Sequence, residues 1–257
     1  MQATVTARAQ GLVALVTGAA GSIGAASARA LVSAGAQVLL TDREQQPLAE
    51  LCSELGAGHA AYCVADVTDS LAVSLAVAAA VERFGGLDVV FVNAGVFGAV
   101  APIADYPEDV FQRVLAVNVL GAFLVCKHAL PVIRPGGSVI LNSSVVGLTS
   151  EAGICAYATS KHALVGLMRT AMHEVAERGV RVNTIHPGPV DNEFQHSIEM
   201  TATHAPRERA AELFEQSIPL RRHASATEIA DLVLFLATRE SAFITGATIA
   251  ADGGMSA

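Results

Sequence analysis

Tyr157 and Lys161 are the residues of this chain whose types and spacing most directly suggest chemistry. They stand four positions apart in the segment AYATSK, in a protein of 257 residues with three tyrosines and no tryptophan. Residues four apart on a helix are neighbours, so the Lys161 ammonium could stabilise a Tyr157 phenolate. Tyrosine has an ordinary pKa of about 10 and needs such help to act as a base near neutral pH. Alone, the pattern is more typical of an exposed surface pair.

Two serines and an asparagine could complete a site with this pair. The run GSVILNSS, residues 137–144, is typical of a strand that ends in Ser143 and Ser144, and Ser144 lies thirteen residues before Tyr157. Adjacent strand residues point to opposite faces, so only one of the two hydroxyls can face the site. Asn118, in AVNVLGAF, is a further candidate, although a buried amide that caps or kinks a helix is the simpler interpretation of that residue alone.

A glycine-rich turn precedes these residues in the chain. The segment TGAAGSIG, residues 17–24, follows an apolar run and opens a helical pattern, which indicates a phosphate seat at a helix N-terminus. Asp42 ends the next run, at the distance expected for a ribose-binding acid. A carboxylate there accepts hydrogen bonds from ribose hydroxyls and repels a 2′-phosphate, so the pattern favours NAD over NADP. Arg43 could still attract such a phosphate.

Short apolar runs alternate with helical segments along the chain, which predicts an α/β fold with a doubly wound parallel sheet and helices on both faces. The strands of such a sheet end at one edge, where ligands bind. The residues that end the runs are Gly18, Asp42, Asp66, Asn93, Ser144 and Pro187.

The domain organisation follows from the same alternation. Residues 1–10 are polar and predict a flexible N-terminal tail, and residues 11–257 predict one domain without a linker. The uncharged stretch 9–28 is too rich in glycine for a good membrane span or signal peptide, and we interpret it as strand, turn and helix. Residues 191–220 mix charged and apolar side chains and could form either a substrate lid or an ordinary pair of surface helices.

Composition argues against several classes of partner and site. A net charge of −8 without a lysine- or arginine-rich run disfavours nucleic acid and anionic membranes as partners. Four cysteines without CxxC spacing predict reduced thiols in a cytoplasmic protein. His162, His173 and His186 do not form a ligand spacing, so we predict no metal site. The serine-bearing strand also lacks the GxSxG elbow of a serine hydrolase.

Together these motifs resemble the short-chain dehydrogenase/reductase family, in its compact single-domain branch, from about Leu12 to Gly254. The resemblance implies a Rossmann-type sheet, a catalytic tetrad of Asn118, Ser144, Tyr157 and Lys161, and the choice of Ser144 over Ser143. It implies that Lys161 lowers the pKa of Tyr157 and that Asn118 holds a water that relays the proton. The implied cofactor-binding residues are Gly18, Gly21, Ser22, Ile23, Gly24, Asp42, Arg43, Asp66, Val67, Asn93, Ala94, Gly95, Tyr157, Lys161, Pro187, Gly188 and Val190.

Two positions depart from the family pattern. Ser22 stands where a glycine is usual, with Gly21 before it, so the turn could shift slightly. Asn192 stands near the place of a common threonine and could bind a carboxamide or phosphate.

The sequence therefore predicts an NAD-dependent oxidoreductase that interconverts a secondary alcohol and a ketone, with a small-molecule substrate. The resemblance also implies a homo-oligomer, by analogy a tetramer. Val145, Val146, Leu148 and Ile154 hint at an apolar or ring-bearing substrate, although Glu151 could bind a polar group. The alternatives are a 3-oxoacyl-carrier-protein-type reductase that uses NADPH and a non-catalytic NAD-binding regulatory protein.

Overall fold

Seven parallel strands form the centre of the protein, whose computed structural model describes residues 8–257. The strands are β1 Val13–Thr17, β2 Gln37–Asp42, β3 Ala60–Val64, β4 Val89–Val92, β5 Ser138–Asn142, β6 Arg181–Pro187 and β7 Thr248–Ala251. In the sheet they follow the order β3-β2-β1-β4-β5-β6-β7. Strand order therefore reverses beside β1, and a cleft opens there at the carboxyl ends of β1 and β4.

Nine α-helices in the described part of the chain surround this sheet. They are α1 Ser22–Ser33, α2 Gln45–Leu55, α3 Ser70–Phe84, α4 Glu108–Leu115, α5 Ala122–Ala129, α6 Cys155–Val175, α7 Glu193–Thr203, α8 Arg207–Ser217 and α9 Ala226–Ala237. A π-helical turn, Ala116–Gly121, joins α4 to α5.

The sheet is covered on both faces because its central strands are apolar on both sides. Leu15 packs with α3, α5 and α6 on one face, whereas its neighbours Ala14 and Val16 pack with α1, α2 and α9 on the other. Every residue of β1, β4 and β5 is buried. Continuous β-branched runs suit such positions, since no strand face meets water. The predicted doubly wound α/β fold is confirmed.

Local signals fix where helices begin and end. The Asp69 carboxylate accepts hydrogen bonds from the backbone N–H groups of the first turn of α3, and Gly85 ends that helix with a left-handed backbone. Ser225 and Glu228 form a reciprocal capping box at the start of α9. These helices therefore pack on the sheet with defined ends.

The packed domain begins earlier than the sequence predicted. Residues 1–7 of the predicted tail lie outside the described residues. Ala9 is buried, its backbone N–H donates to Ala34 O at 2.9 Å, and Arg8 pairs with Glu240. Residues 8–10, which the sequence assigned to a flexible tail, pack in the structure against the end of α1 and the segment after α9.

The stretch 9–28 forms β1, the glycine turn and the start of α1, as predicted. By length and composition, one helical segment of residues 8–257, Glu108–Ala129, could cross a membrane, although 39% of its most apolar window is buried in the protein. Core helices pass the same test, and this segment packs against α3 and α6.

Candidate active site

A cavity of about 350 Å³ opens at the carboxyl edge of the sheet. It brings together nearly all the site residues predicted from the sequence: of that set, only Gly24 and Asn118 do not line it. The cavity extends from the glycine turn, past the ends of β2 and β3, to Tyr157 and the helices of residues 191–220. One continuous cleft can therefore hold an extended ligand and a smaller one beside it.

The glycine turn packs closely against the residues that follow β4. Gly18 has φ +64°, and a Cβ there would lie 2.8 Å from Ala94 Cα. A Cβ on Gly24 would overlap the Gly18 carbonyl oxygen, so α1 rests directly on the turn. Gly21 precedes the first residue of α1, and no side chain caps that helix. This cradle suits a pyrophosphate, because free N–H groups and the helix dipole point at one place.

Acidic side chains end β2 and follow β3 along the same cleft. The two Asp42 carboxylate oxygens accept hydrogen bonds from the backbone N–H groups of Ala20, at 3.1 Å, and Arg43, at 2.7 Å. Burial opposes ionisation of Asp66, but hydrogen bonds from the Thr68 N–H and hydroxyl and the charge of Arg43 hold the pKa of Asp66 below its ordinary value. Asp66 is therefore anionic at neutral pH in the folded protein, because the donors around it stabilise the charge.

A chain of hydrogen bonds links the glycine turn to Lys161. Asn93 Nδ2 donates to Thr17 O at 3.0 Å and to Gly18 O at 3.1 Å, and Asn93 Oδ1 accepts from Asn142 Nδ2 at 2.8 Å. Asn142 O in turn accepts from Lys161 Nζ at 2.8 Å. Residues of β1, β4, β5 and α6 thus fix the two ends of the cleft relative to each other.

Tyr157 lies in the cavity wall, one turn before Lys161 on α6. Its ring packs 5.1 Å from the Phe97 ring, centroid to centroid. Burial raises the pKa of Tyr157 to about 12, while a side-chain hydrogen bond from Ser144 lowers it. Burial also lowers the pKa of Lys161 to about 8, because the charged ammonium loses water.

The presence of Lys161 nearby does not bring the pKa of Tyr157 below its ordinary value in the protein without cofactor. The ammonium lies 5.4 Å from the centroid of the tyrosine ring and donates to Asn142 O. The sequence-based expectation of a depressed pKa differs from the structure because burial of the phenol raises the pKa of Tyr157 more than the Ser144 hydrogen bond lowers it. A further positive charge in the cleft would favour the phenolate.

Ser143 and Ser144 have different surroundings. The Ser143 hydroxyl is buried and donates to Lys161 O at 2.9 Å, whereas the Ser144 hydroxyl lies beside Tyr157. His186 Nδ1 contacts Ser144 O at 2.8 Å, so a buried imidazole holds the serine backbone in place. The structure therefore places Ser144 where its hydroxyl can meet a ligand oxygen next to the phenol.

Asn118 lies in the π-helical turn and does not line the cavity. Its Oδ1 accepts from Val96 N–H at 2.8 Å, and its Nδ2 donates to Val96 O and Ser160 Oγ, both at 2.9 Å. Both ends of the amide thus support the loop after β4. A Cβ on Gly95 would nevertheless lie within 3.6 Å of both Asn118 Oδ1 and Lys161 Nζ. The Asn118 amide and the Lys161 ammonium therefore both lie close to the Gly95 backbone.

Several cavity residues were missed by sequence reasoning, because they approach from distant parts of the chain. Val145, Val146 and Ile154 line the cavity as expected, together with Glu151, but Leu148 does not. The missed apolar wall comprises Phe97, Val100, Phe194, Ile198, Phe214 and Met255. The helical spacing of Phe194 and Ile198 was the available signal for two of them.

Two features of the fold indicate that these residues fit a dinucleotide. The glycine turn packs so closely on its neighbours that Gly18 and Gly24 have no room for a Cβ, and Asn142 Oδ1 is a buried acceptor without a partner in the wall of the cavity. Asp42 and Asp66 lie along the cleft beyond the turn. A group with a pyrophosphate and polar ends would satisfy these positions.

Comparison with known proteins agrees with the fold. A family model described as "Enoyl-(Acyl carrier protein) reductase" matches residues 18–256. The chain belongs to the short-chain dehydrogenase/reductase family, and its relatives are oxidoreductases. The resemblance inferred from the motifs is therefore confirmed.

Two curated relatives are 39% identical to the chain. They are momilactone A synthase of Oryza sativa subsp. japonica, covering 96% of this chain and 90% of the relative, and trans-4-hydroxycyclohexanecarboxylate dehydrogenase of Sinomonas cyclohexanicum, covering 95% and 93%.

Solved structures agree in fold over almost the whole chain. Levodione reductase superposes with a TM-score of 0.92 at 32% identity, covering 96% of this chain and 98% of that one. NAD⁺-bound xylitol dehydrogenase has a TM-score of 0.88 at 34% identity, covering 95% and 99%. A blue fluorescent protein from a metagenomic library, in complex with NADPH, has a TM-score of 0.88 at 32% identity, covering 97% and 100%.

Proposed function

We propose that the protein is an NAD-dependent oxidoreductase that interconverts a secondary alcohol and a ketone, with Tyr157 as general acid and base. The observation that carries this proposal is that Tyr157 has the Ser144 side chain as a hydrogen-bond partner and Lys161 Nζ 5.4 Å from its ring centroid, in a cleft that continues to the glycine turn. A non-catalytic NAD-binding protein has no need of such a group of polar side chains.

In the direction of oxidation, the Ser144 hydroxyl orients the substrate oxygen and Tyr157 accepts the hydroxyl proton. NAD⁺, when bound, would supply the acceptor for the hydride that leaves the carbon bearing this hydroxyl. Lys161 contributes a positive charge that favours the phenolate and an ammonium that can also donate to a ribose hydroxyl. Asn118 holds the loop after β4 through its amide. We propose that this residue also holds the water that relays the proton outward. In reduction the same groups act in reverse, and Tyr157 donates the proton.

NAD is the proposed cofactor because Asp42 presents a carboxylate at the end of β2 in the cavity wall. Backbone N–H groups hold this carboxylate in place, so it can accept from ribose hydroxyls and repel a 2′-phosphate. NADP is the weaker candidate, supported by Arg43 in the same wall and by a structural neighbour that binds NADPH.

The substrate class follows from the walls beyond Tyr157. Apolar side chains of the segment after Ser144, of α7 and of α8 surround that end of the cleft, and Glu151 is the acidic exception. Such a wall suits a compact apolar or ring-bearing alcohol. The hydroxycyclohexanecarboxylate named for one relative is a ring alcohol of this kind.

A 3-oxoacyl-carrier-protein-type reductase with NADPH is the second candidate. The description of the matching family model names an acyl carrier protein, which favours it. The net charge of −8 counts against docking of an acidic carrier, since like charges repel.

We also propose a homo-oligomer, by family analogy a tetramer, and a cytoplasmic location. Exposed Leu71, Leu75, Leu120 and Phe123 on the α3 and α5 side are consistent with a subunit interface. The four cysteines are free, as expected of a reducing compartment.

The decisive experiment measures reduced-cofactor absorbance with a panel of ring and open-chain secondary alcohols and either NAD⁺ or NADP⁺. An acetoacetyl thioester with NADPH is the arm for the second candidate. We expect turnover of ring alcohols with NAD⁺ and a loss of about 100-fold or more in Tyr157→Phe. Tyr62→Phe, a half-exposed tyrosine on β3, is the matched control and should keep the parent rate. Equal rates for Tyr157→Phe and the parent would refute the assigned base, and NAD⁺ binding without any turnover would support the regulatory alternative.

A further inference from the structure

A second group of ionisable side chains lies beside the cavity, in the helices of residues 191–220. Glu199, on α7, is fully buried, and its carboxylate contacts two imidazoles. Glu199 Oε1 lies 2.6 Å from His223 Nε2, and Glu199 Oε2 lies 3.2 Å from His196 Nδ1. Within residues 8–257, Glu199 has no lysine or arginine at ion-pair distance. Among these described residues, only the two histidines in contact with Glu199 can carry a positive charge.

Each histidine uses its other ring nitrogen on a second carboxylate. His196 Nε2 lies 2.8 Å from Asp191 Oδ1, and His223 Nδ1 lies 3.0 Å from Glu215 Oε1. Ionised carboxylates accept hydrogen bonds and cannot donate them, so these outer nitrogens carry the protons. If the imidazoles are neutral, their inner nitrogens direct lone pairs at the Glu199 carboxylate, and three acceptors converge.

Two positive charges resolve this convergence. One solution is a proton on each inner nitrogen, which makes both histidines imidazolium ions. The other is one divalent cation between the two imidazoles and Glu199. Either solution places two positive charges among the three carboxylates, so the charge of the cluster is the same in both cases.

The arrangement of the donors favours a cation. The three ligand atoms lie within 4.8 Å of one another, and side chains of the protein bury them. Two imidazole nitrogens and one carboxylate oxygen are ligands typical of zinc-class ions, whereas calcium and magnesium prefer oxygen alone. Metal-bound histidines usually donate their distal N–H to a carboxylate, as Asp191 and Glu215 are placed to accept here.

We propose that His196, Glu199 and His223 form a binding site for a divalent transition-metal ion of the zinc class. The sequence predicted no metal site, since His223 lies 24 positions after Glu199 and the three residues meet only in the fold. The ion would join α7 to the segment before α9. Gln195, which lines the cavity and donates to Glu199 Oε1 at 2.9 Å, would connect the ion to the substrate end of the cleft.

The test uses the full-length protein, stripped with a chelator and titrated with Zn²⁺, Co²⁺ or Mg²⁺. We expect one equivalent of Zn²⁺ to bind with a rise in Tm, Co²⁺ to give a visible absorption band, and Mg²⁺ to cause neither. Glu199→Gln and His223→Gln should lose the cobalt band, whereas His173→Gln, an exposed histidine on α6, should keep it.

Exposed Asp191 offers a variant that leaves the buried residues intact. Asp191→Asn should weaken Zn²⁺ binding about 10–100-fold, because the distal support of His196 is lost. Glu193→Gln, an exposed acid two positions further on, should leave zinc affinity unchanged. The proposal is overturned if the unmodified protein binds no stoichiometric Zn²⁺ and gives no cobalt band, or if its Tm depends on pH and not on metal. Because these measurements do not use turnover, they are independent of the proposed activity.

Discussion

Asn192 donates a hydrogen bond from its side-chain amide to the Ser22 hydroxyl at 2.9 Å, and its own oxygen caps α7 by accepting from Gln195 N–H. The two residues at which the chain departs from the family pattern thus contact each other. Their contact ties the start of α7 to the first turn of α1, so the glycine turn and the helices over the cavity are held together.

We expect Ser22→Gly to weaken NAD⁺ binding about three- to tenfold, because one hydrogen bond between α7 and the turn is lost. Fluorescence or calorimetric titration with NAD⁺ measures this change. Asn192→Ala should weaken binding at least as much, because it also removes the cap of α7, and the double variant should add little to Asn192→Ala alone. Fully additive effects would show that the two side chains act separately.

Loss of the Ser144 hydroxyl should move the pH profile of oxidation. Burial raises the pKa of Tyr157 to about 12 and the Ser144 hydrogen bond lowers it, so Ser144→Ala should raise it further. Oxidation needs the phenolate, so the rate falls as pH falls below this pKa. We therefore expect the inflection in kcat/KM to shift to higher pH in Ser144→Ala.

Ser143→Ala is the matched control for that profile, because the Ser143 hydroxyl donates to Lys161 O and not to the phenol. Its inflection should stay where the parent has it. An equal drop in rate at every pH in Ser144→Ala, without a shift, would mean that the serine only binds substrate.

Replacement of Asp42 should change the choice of cofactor. Asp42→Ser removes the carboxylate that would repel a 2′-phosphate and leaves Arg43 beside the cleft. The ratio of kcat/KM for NADP⁺ over NAD⁺ should rise at least about tenfold. Asp66→Asn should alter both cofactors alike, so its ratio should stay constant. An unchanged ratio in Asp42→Ser would contradict the proposed role of Asp42 in selecting NAD over NADP.

Two glycines of the turn should differ in their effect on stability. In Gly24→Ala the new Cβ overlaps Gly18 O and lies 2.9 Å from Ala19 Cα, both rigid backbone atoms. We expect the free energy of unfolding to fall by about 1–3 kcal/mol. Gly21→Ala meets only Gly18 O at 3.4 Å, an ordinary contact, and should change stability by less than about 0.5 kcal/mol. Denaturant titration compares them.

The sheet was predictable because its signals are local and repeated. Runs such as Val13–Thr17 and Ser138–Asn142 are apolar on both faces, and polar residues end them at the ligand edge. The tetrad was named by residue type, spacing and family resemblance, and its catalytic role stays a prediction. The Ser144 side chain lines the cavity together with those of Tyr157 and Lys161, whereas Asn118 does not.

What the sequence could not give depends on contacts through space. The Asn118 amide is used by Val96 and Ser160, which no spacing reveals. Burial, and not the lysine, dominates the pKa of Tyr157. Phe214 and Met255 reach the cavity from distant positions, and Ala9 is buried although its neighbours are polar. Each of these depends on packing between segments far apart in the chain.

The hydrogen-bond chain from Gly18 through Asn93 and Asn142 to Lys161 belongs to the strands and α6, whereas Phe194, Ile198 and Phe214 belong to α7 and α8. The proposed reacting centre and the helices proposed to select the substrate therefore belong to different elements, which the Asn192–Ser22 contact joins. Descendants of this chain, natural or designed, that keep Asn192 can exchange the rest of these two helices without altering the hydrogen-bond chain.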